Sequence, residues 1–161
     1  MHRDERIRII AEALRQTELH LEDLQAVAGA AEARAFQFSS TAVLVATLEA
    51  GLAQHMPHPV SAYIGAVILI SAACWAIYSV LPRSFHIRGH KWAEWKPHVV
   101  EGDSLEEVLV SQAAENDTRI RYNFEKLNES ALHFRVSFGI ALLSFIVSLT
   151  GQAAALRLGA M

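Results

Sequence analysis

Three long runs of apolar residues, separated by charged segments, dominate the pattern of this chain. The run at 60–81 contains no charged side chain across its 22 residues, and the run at 136–156 has Arg135 and Arg157 at its edges. A third run occupies residues 35–54. Because a hydrocarbon core of about 30 Å is crossed by roughly 20 apolar helical residues, the pattern predicts three transmembrane helices.

Glu49 is the one charged residue inside the first run. An ionised side chain near the centre of a membrane helix costs roughly 2.5 to 3.5 kcal/mol on insertion scales, and less towards an end. Such residues usually face the interior of a helix bundle or a water-filled cavity. We therefore expect the Glu49 carboxylate to point away from lipid.

Residues 1–34 are predicted to form a cytoplasmic amphipathic helix. The stripe along one face recurs at alternating steps of three and four residues, as in a coiled coil. Its members are Ile7, Ile10, Leu14, Thr17, Leu21, Leu24, Ala28 and Ala31. Since no proline interrupts the pattern before the first apolar run, we expect one helix from about residue 4 to residue 54.

A second charged helix is predicted over residues 104–135. Ser104 and Glu107 have the spacing of a capping box, which marks the start of a helix. The expected inward face consists of Leu105, Leu109, Gln112, Asn116, Ile120, Asn123, Leu127, Ala131 and Phe134. Because no helix breaker precedes Gly139, we expect this helix to continue into the third apolar run and to exceed 50 residues.

The middle of this inward face is rich in amides. Polar residues in a coiled-coil seam usually fix register and oligomeric state. The alternative is a ligand-facing surface, in which arginines of the same helix join the amides. The candidate ligand-binding residues of this helix are Gln112, Asn116, Asn123 and Arg119, with Arg121 as a second candidate arginine.

The connection at 82–103 is predicted to be an interfacial or cytoplasmic loop. It interleaves aromatic rings with basic side chains, a mixture typical of a membrane interface. The alternative is a cradle for a nucleotide or a lipid phosphate, because Trp faces stack on bases and Arg pairs with phosphate. The candidate residues for that cradle are Trp92, Trp95 and Arg88.

Basic residues predict the orientation in the membrane. Residues 1–34 hold five Lys or Arg, residues 82–135 hold eight, residues 55–59 hold none, and one follows residue 156. By the positive-inside rule, the N-terminus is expected in the cytoplasm and the C-terminus outside. The formal net charge of -3 argues against a nucleic-acid-binding protein.

Polar residues share one face of the third apolar run. Ser137, Ser144, Ser148 and Gln152 recur at helical spacing, interleaved with Ala141. Small and hydroxylated residues on one face usually indicate close helix packing, and Thr47 with Gly51 is a similar small pair on the first run. The alternative is a face that lines a pore in an oligomer, together with Glu49.

Metal binding and catalysis are not expected. His55 with His58, and His86 with His90, lack the further ligands that a structural zinc site requires. Arg15 and His20 fit the Arg-to-His spacing of ribonucleases of the HEPN class, as does the stretch 83–90, but this composition is expected to give about as many matches by chance. A membrane-tethered ribonuclease is therefore the least favoured interpretation, and no cofactor is expected.

The order of features over residues 20–152 resembles the transmembrane effectors of the Pycsar and related CBASS anti-phage systems of bacteria. The resemblance involves the junction Glu32-Ala33-Arg34-Ala35, a second span that ends in Leu81-Pro82-Arg83, a cytoplasmic helix and a last span. It implies an inner-membrane protein on whose cytoplasmic part a cyclic nucleotide made on infection acts, followed by membrane disruption. No nucleotide-contact motif of that family can be placed on this sequence.

The combined expectation is an all-α membrane protein with three transmembrane helices and two long cytoplasmic extensions, which form a coiled-coil-like bundle in a homo-oligomer. Its function would be to permeabilise the membrane on a cytoplasmic signal. The first alternative is a non-catalytic scaffold that holds a partner protein through residues 4–34 and 104–135. The expected partners are the lipid bilayer, further copies of the chain, and a cyclic nucleotide or a cytoplasmic protein.

Overall fold

A computed structural model describes residues 3–81, 85–87, 89 and 92–159. Within them the chain is helical and no strand occurs. Helix α1 spans Arg3–Leu52 and is followed by a 3-10 turn at Ala53–His55. Helices α2, α3 and α4 span Pro59–Ser79, Trp92–Glu101 and Leu105–Gly159.

Within the described residues, three helices are long and apolar enough to cross a membrane, namely α1, α2 and α4. Helix α2 has 21 residues and is about 31 Å long at 1.5 Å per residue, which matches a hydrocarbon core. Helix α1 has 50 residues and α4 has 55, so each combines a charged segment with an apolar one. The predicted continuity of both long helices is thus confirmed.

The start of α4 follows the predicted capping box. The Ser104 backbone N–H donates to the Glu107 carboxylate at 2.9 Å, and the Glu107 backbone N–H donates to Ser104 Oγ at 3.3 Å. These two bonds satisfy backbone donors that the first turn of a helix leaves without partners.

Helix α3 lies in a connection predicted to be a loop. Its ten residues include Pro97, which made a helix difficult to predict. The helix ends at Glu101, and the next residue, Gly102, has a φ of 76° that is readily adopted only by glycine. Its N–H and that of Asp103 both donate to the His98 carbonyl at 3.1 Å. Several residues of the connection lie outside the described ones: 82–84, 88, 90 and 91.

The chain divides into two compact units. The charged unit consists of Met1–Gly29 with Arg83–Leu127, and the apolar unit consists of Ala30–Pro82 with Asn128–Met161. Seven residues of the predicted α1 stripe lie in the charged unit and are buried or half-buried, with Leu21 completely inaccessible, and Ala31 in the apolar unit is half-buried. On α4 the predicted inward face is correct except at Leu105 and Ala131, which are exposed, while Val108 is buried.

The apolar unit has small side chains inside and large ones outside. Its core is built mainly from alanines of three helices, including Ala46, Ala66 and Ala141, around Leu69. Large apolar side chains cover its surface, among them Leu44, Phe145 and Leu149, which are 60%, 47% and 68% exposed. This is the reverse of the usual arrangement in water, where large apolar residues form the core.

Candidate functional site

The predicted polar residues of the apolar unit meet inside it. Glu49 comes from α1 and Ser148 from α4, and the Ser148 hydroxyl donates to the Glu49 carboxylate. Ser148 Oγ also lies 3.4 Å from the carbonyl oxygen of Ser61, near the start of α2. Three helices therefore contribute oxygen atoms to one half-buried cluster, which we call the Glu49 cluster: Glu49, Ser61 and Ser148.

Gly65 of α2 creates the space for this cluster. A Cβ atom at residue 65 would overlap the Ser148 hydroxyl and lie 2.7 Å from Glu49 Oε1. The bare backbone also lets the Ser144 hydroxyl donate to the Gly65 carbonyl at 2.8 Å. Small residues permit such close approach of helices where apolar solvent offers no hydrogen bonds.

Gln152 ties α4 to the turn before α2. Its Oε1 accepts from the His58 backbone N–H, and its Nε2 donates to the His58 carbonyl, both at 2.9 Å. The same Nε2 lies 3.1 Å from Ser61 Oγ. Gln152 thereby fixes the start of α2 beside the Glu49 cluster.

His58 is the N-cap of α2. Its Nδ1 accepts from the Ser61 backbone N–H at 3.1 Å, and Pro59 occupies the first helical position, where a missing N–H has no consequence. The sequence-based prediction weighed His58 as a metal ligand and did not assign it this cap. The His-Pro pair before an apolar run was the available signal for this cap.

The polar face predicted on the third run makes its contacts within the chain. Ser137 and Ser144 are completely buried, and Ser137 donates to the Phe134 carbonyl of its own helix at 2.6 Å. These contacts correspond to the packing alternative for this face. In contrast, Thr47 and Gly51 are exposed, and a Cβ at residue 51 would meet nothing within 4 Å.

The amides predicted to bind a ligand are turned inward in the charged unit. Asn123 donates through Nδ2 to the His86 carbonyl at 2.8 Å and accepts at Oδ1 from the His86 N–H at 3.0 Å. Gln112, Asn116 and Asn123 are all at most 4% exposed. Asn123 thus fastens the preceding connection to α4 rather than facing solvent.

Asn116 is incompletely satisfied. Its Nδ2 donates to Thr17 Oγ1 of α1 at 3.2 Å, while the buried Oδ1 accepts no hydrogen bond from the described residues. Thr17 also lines a groove of about 600 Å³, together with Gln16, Leu19, His20, Asp23, Asp117 and Ile120. The groove has acidic groups on both helices, so it is unsuited to a phosphate.

Arg119 makes several contacts within the charged unit. Its guanidinium binds the Glu115 carboxylate at 2.6 Å and lies 3.4 Å from the Gly89 carbonyl. The remaining candidates cannot be placed beside it, because Arg88 and the side chains of Trp92 and Trp95 lie outside the described residues.

Arg15 and His20 make different contacts. The Arg15 guanidinium binds the Glu12 carboxylate at 2.7 Å. That hydrogen bond, supported by one from Gln16, lowers the pKa of Glu12 to about 2, and the same contact raises the pKa of Arg15. His20 lines the groove described above. Over the part of the chain that the structure describes, no three His, Cys, Asp or Glu residues form a metal-binding group.

No protein-family model, curated protein or solved structure matches this chain.

Proposed function

We propose that this chain is a bacterial inner-membrane effector that oligomerises and permeabilises the membrane when a cytoplasmic signal acts on the charged unit. The observation that carries the proposal is the row of polar groups inside the apolar unit. From Ser137 to Gln152 this row extends about 22 Å along α4, at 1.5 Å per residue. That is most of the thickness of a hydrocarbon core.

Membrane insertion is supported by the surface of the apolar unit. Large exposed side chains such as Ile70, Phe138 and Ile146 would be unfavourable in water, and each is about half exposed. In lipid the same surface needs no further cover, and the hydroxyls of Ser40, Ser71 and Thr150 are satisfied by carbonyls of their own helices.

Permeabilisation requires that the polar row gain access to water. In the single chain, these groups pair with one another and with backbone carbonyls. Separation of α4 from α2 would expose the Glu49 carboxylate and the serine hydroxyls to water. A ring of several copies would then surround a pore with oxygen-rich walls.

The charged unit is the proposed receiver of the signal. Helices α1 and α4 both extend from the charged unit into the apolar unit without a break. A continuous helix is a rigid element, so a change in packing at one end can bias the other. The resemblance to Pycsar and CBASS effectors makes a cyclic nucleotide the first signal to test.

Induced expression in bacteria tests the proposal most directly. Cells that express the chain are tested with a panel of cyclic nucleotides. We expect at least one of these nucleotides to cause loss of membrane potential, measured with a voltage-sensitive dye. Ser148→Val should suppress the loss, whereas Thr150→Val should retain it, because Thr150 is exposed and bonds only to its own helix. Unchanged potential and viability under all conditions would refute the proposal.

A scaffold is the second candidate. It is favoured by apolar side chains on the surface of the charged unit, where lipid would not cover them: Ile9 is 56% exposed, Val110 50% and Phe124 56%. A scaffold predicts a partner that co-purifies with the wild type and is lost with Phe124→Ser. Cation flux into liposomes that contain the purified chain alone would exclude a purely structural role.

A further inference from the structure

An apolar groove lies between α1 and α4 in the apolar unit, with a volume of about 160 Å³. Large apolar side chains form most of its lining: Phe38, Val45, Leu69, Phe138, Leu142 and Phe145. The Thr41 hydroxyl, also in the lining, donates to the Gln37 carbonyl of its own helix at 2.9 Å and is thereby satisfied. The groove therefore suits a hydrocarbon chain.

Helices α1 and α4 run parallel along this groove. The ring centroids of Phe38 on α1 and Phe138 on α4 are 6.1 Å apart. Further along both helices, the Ser148 hydroxyl donates to the Glu49 carboxylate. The N-terminal ends of the two apolar runs therefore lie at the same end of the groove.

An arginine precedes each of the two rings on the same side of its helix. Arg34 comes four residues before Phe38, and Arg135 comes three residues before Phe138. At 1.5 Å per residue, the arginines lie about 6 Å and about 4.5 Å beyond the rings. Both are exposed, and neither has an ion-pair partner among the described residues. Since helical side chains lean towards the N-terminus, the guanidinium groups lie beyond the end of the groove.

The acidic residues of these two segments lie on other sides of the helices. Glu32 comes six residues before Phe38, and Glu129 comes nine residues before Phe138. With 3.6 residues per turn, they are about 120° and about 180° around the helix from these rings. Positive charge therefore dominates this end of the groove. Guanidinium groups pair with phosphate through charge-assisted hydrogen bonds.

An aromatic cluster marks the same level of α4 as a membrane interface. The His133 ring lies 5.9 Å from the Trp75 ring and 5.7 Å from the Tyr78 ring, between centroids. Trp75 and Tyr78 are 41% and 52% exposed. Trp and Tyr rings are enriched at headgroup depth, because one end is apolar and the other is polar. Arg135 follows His133 by two residues, so it lies at headgroup depth as well.

We propose that this groove binds an anionic phospholipid, with one acyl chain between α1 and α4 and the headgroup phosphate beside Arg34 and Arg135. A helix of a second copy is disfavoured, because with its side chains it is about 10 Å wide and the groove holds only about 160 Å³. The inference rests on the membrane insertion contained in the proposed function. It does not require that the chain permeabilise membranes.

Native mass spectrometry of the purified full chain in a neutral detergent tests the headgroup. The chain is mixed with equal amounts of phosphatidylglycerol and phosphatidylcholine that have identical acyl chains. We expect phosphatidylglycerol adducts to dominate. Arg34→Gln and Arg135→Gln should each weaken phosphatidylglycerol binding about fivefold, the effect of one basic side chain near an anionic lipid. Arg157→Gln is the matched control, because it removes the same charge from an exposed position near the other end of α4.

A second pair of variants tests the acyl chain. Thr41→Phe adds a ring to the lining of the groove and should lower phosphatidylglycerol binding severalfold. Thr47→Phe is the control, because Thr47 is also exposed on α1, bonds to its own helix and lies outside this groove. Glycerol 3-phosphate has the phosphate without the chains and should not compete at the same concentration. Circular dichroism checks that all variants remain helical.

The inference is overturned if phosphatidylcholine binds as well as phosphatidylglycerol, or if both arginine variants bind like Arg157→Gln. Equal binding by Thr41→Phe and Thr47→Phe would overturn it too, because the acyl chain would then lie elsewhere. Effective competition by glycerol 3-phosphate would indicate a site for soluble phosphates instead. These measurements involve no permeabilisation, whereas the proposed function is tested by membrane potential in cells. Failure of the groove is therefore distinguishable from failure of the proposed function.

Discussion

Single atoms decide how closely α2 and α4 approach one another. A Cβ at residue 151 of α4 would overlap the Ser61 side chain and lie 3.5 Å from His58 Nδ1. A Cβ at residue 65 of α2 would in turn overlap the Ser148 hydroxyl of α4. Because both glycines lie within helices, their value is the missing side chain rather than an unusual backbone angle. They mark the positions where the hydrogen bonds of Ser148 and Gln152 depend on contact between helices.

Gly151→Ala should destabilise the apolar unit. The added methyl group overpacks the contact with Ser61, which typically costs about 1–3 kcal/mol. Thermal unfolding in detergent, followed by circular dichroism, should show a lower midpoint. Gly139→Ala is the matched control on the same helix, because a Cβ there meets nothing within 4 Å. A midpoint for Gly151→Ala equal to that of Gly139→Ala would contradict the packing described.

Asn116→Leu should stabilise the charged unit. The substitution removes a buried carbonyl that accepts no hydrogen bond from the described residues, a defect worth about 1–3 kcal/mol. Thr17 loses the bond from Asn116 but keeps its own bond to the Leu14 carbonyl at 2.8 Å. Chemical unfolding should show a larger free energy of unfolding, and Asn128→Leu at an exposed position is the control. A less stable variant would show that Asn116 Oδ1 has a donor in solution.

At the scale of elements, the start of α4 depends on one carboxylate. Hydrogen bonds from the Ser104 side chain and then its backbone lower the pKa of Glu107, against a smaller opposing effect of Asp103. A lowered pKa in the folded state means that the cap stabilises the helix above the ordinary value of 4.5 and is lost as the pH falls through the folded value. The cap is therefore intact at neutral pH.

Ser104→Ala should move the pKa of Glu107 back towards its ordinary value. The variant removes the side-chain hydrogen bond that is the largest cause of the shift. Titration of the Glu107 carboxyl carbon by nuclear magnetic resonance measures both values. Glu12 serves as an internal reference, because its pKa of about 2 depends on Arg15 and Gln16 and should not change. Identical Glu107 titrations in both proteins would exclude the capping box.

Elements set by local pattern could be predicted, and those set by distant partners could not. The stripe on α1 and the start of α4 depend on residue spacing within one helix, so the sequence contains the whole signal. Leu105 was expected on the inward face of α4 but is exposed, whereas Val108 is the buried residue near this end of the helix. Near a helix end, packing partners from elsewhere in the chain decide which residue is covered, and helical spacing does not contain that information.

The candidate site shows the same division. The spacing of Ser137, Ser144, Ser148 and Gln152 predicted a shared face, and the structure places that face against neighbouring helices. The roles of Gly65, Ser61 and the His58 cap were missed. The roles of Gly65 and Ser61 follow from which part of α2 lies beside α4, and nothing in the spacing of α2 itself distinguishes these two positions from other small residues.

At the scale of the whole molecule, three spans would place the two ends of the chain on opposite sides of the membrane. The part of the chain that the structure describes contains three helices of suitable length and apolarity, an odd number, so each end should meet a different compartment. Thirteen of the fourteen Lys and Arg residues precede the third apolar run and flank the first two, in segments expected to stay in the cytoplasm.

Reporter fusions test this arrangement. Alkaline phosphatase, which folds only outside the cytoplasm, should be active when fused after residue 159 and inactive when fused before residue 3. A fluorescent protein that folds in the cytoplasm should show the reverse pattern. Moving basic charge to the short turn, by Gln54→Arg with His55→Arg, should weaken the bias, because the positive-inside rule counts residues close to the spans. Equal phosphatase activity at both ends would mean an even number of crossings. The membrane spans around the Glu49 cluster would then have to be assigned again.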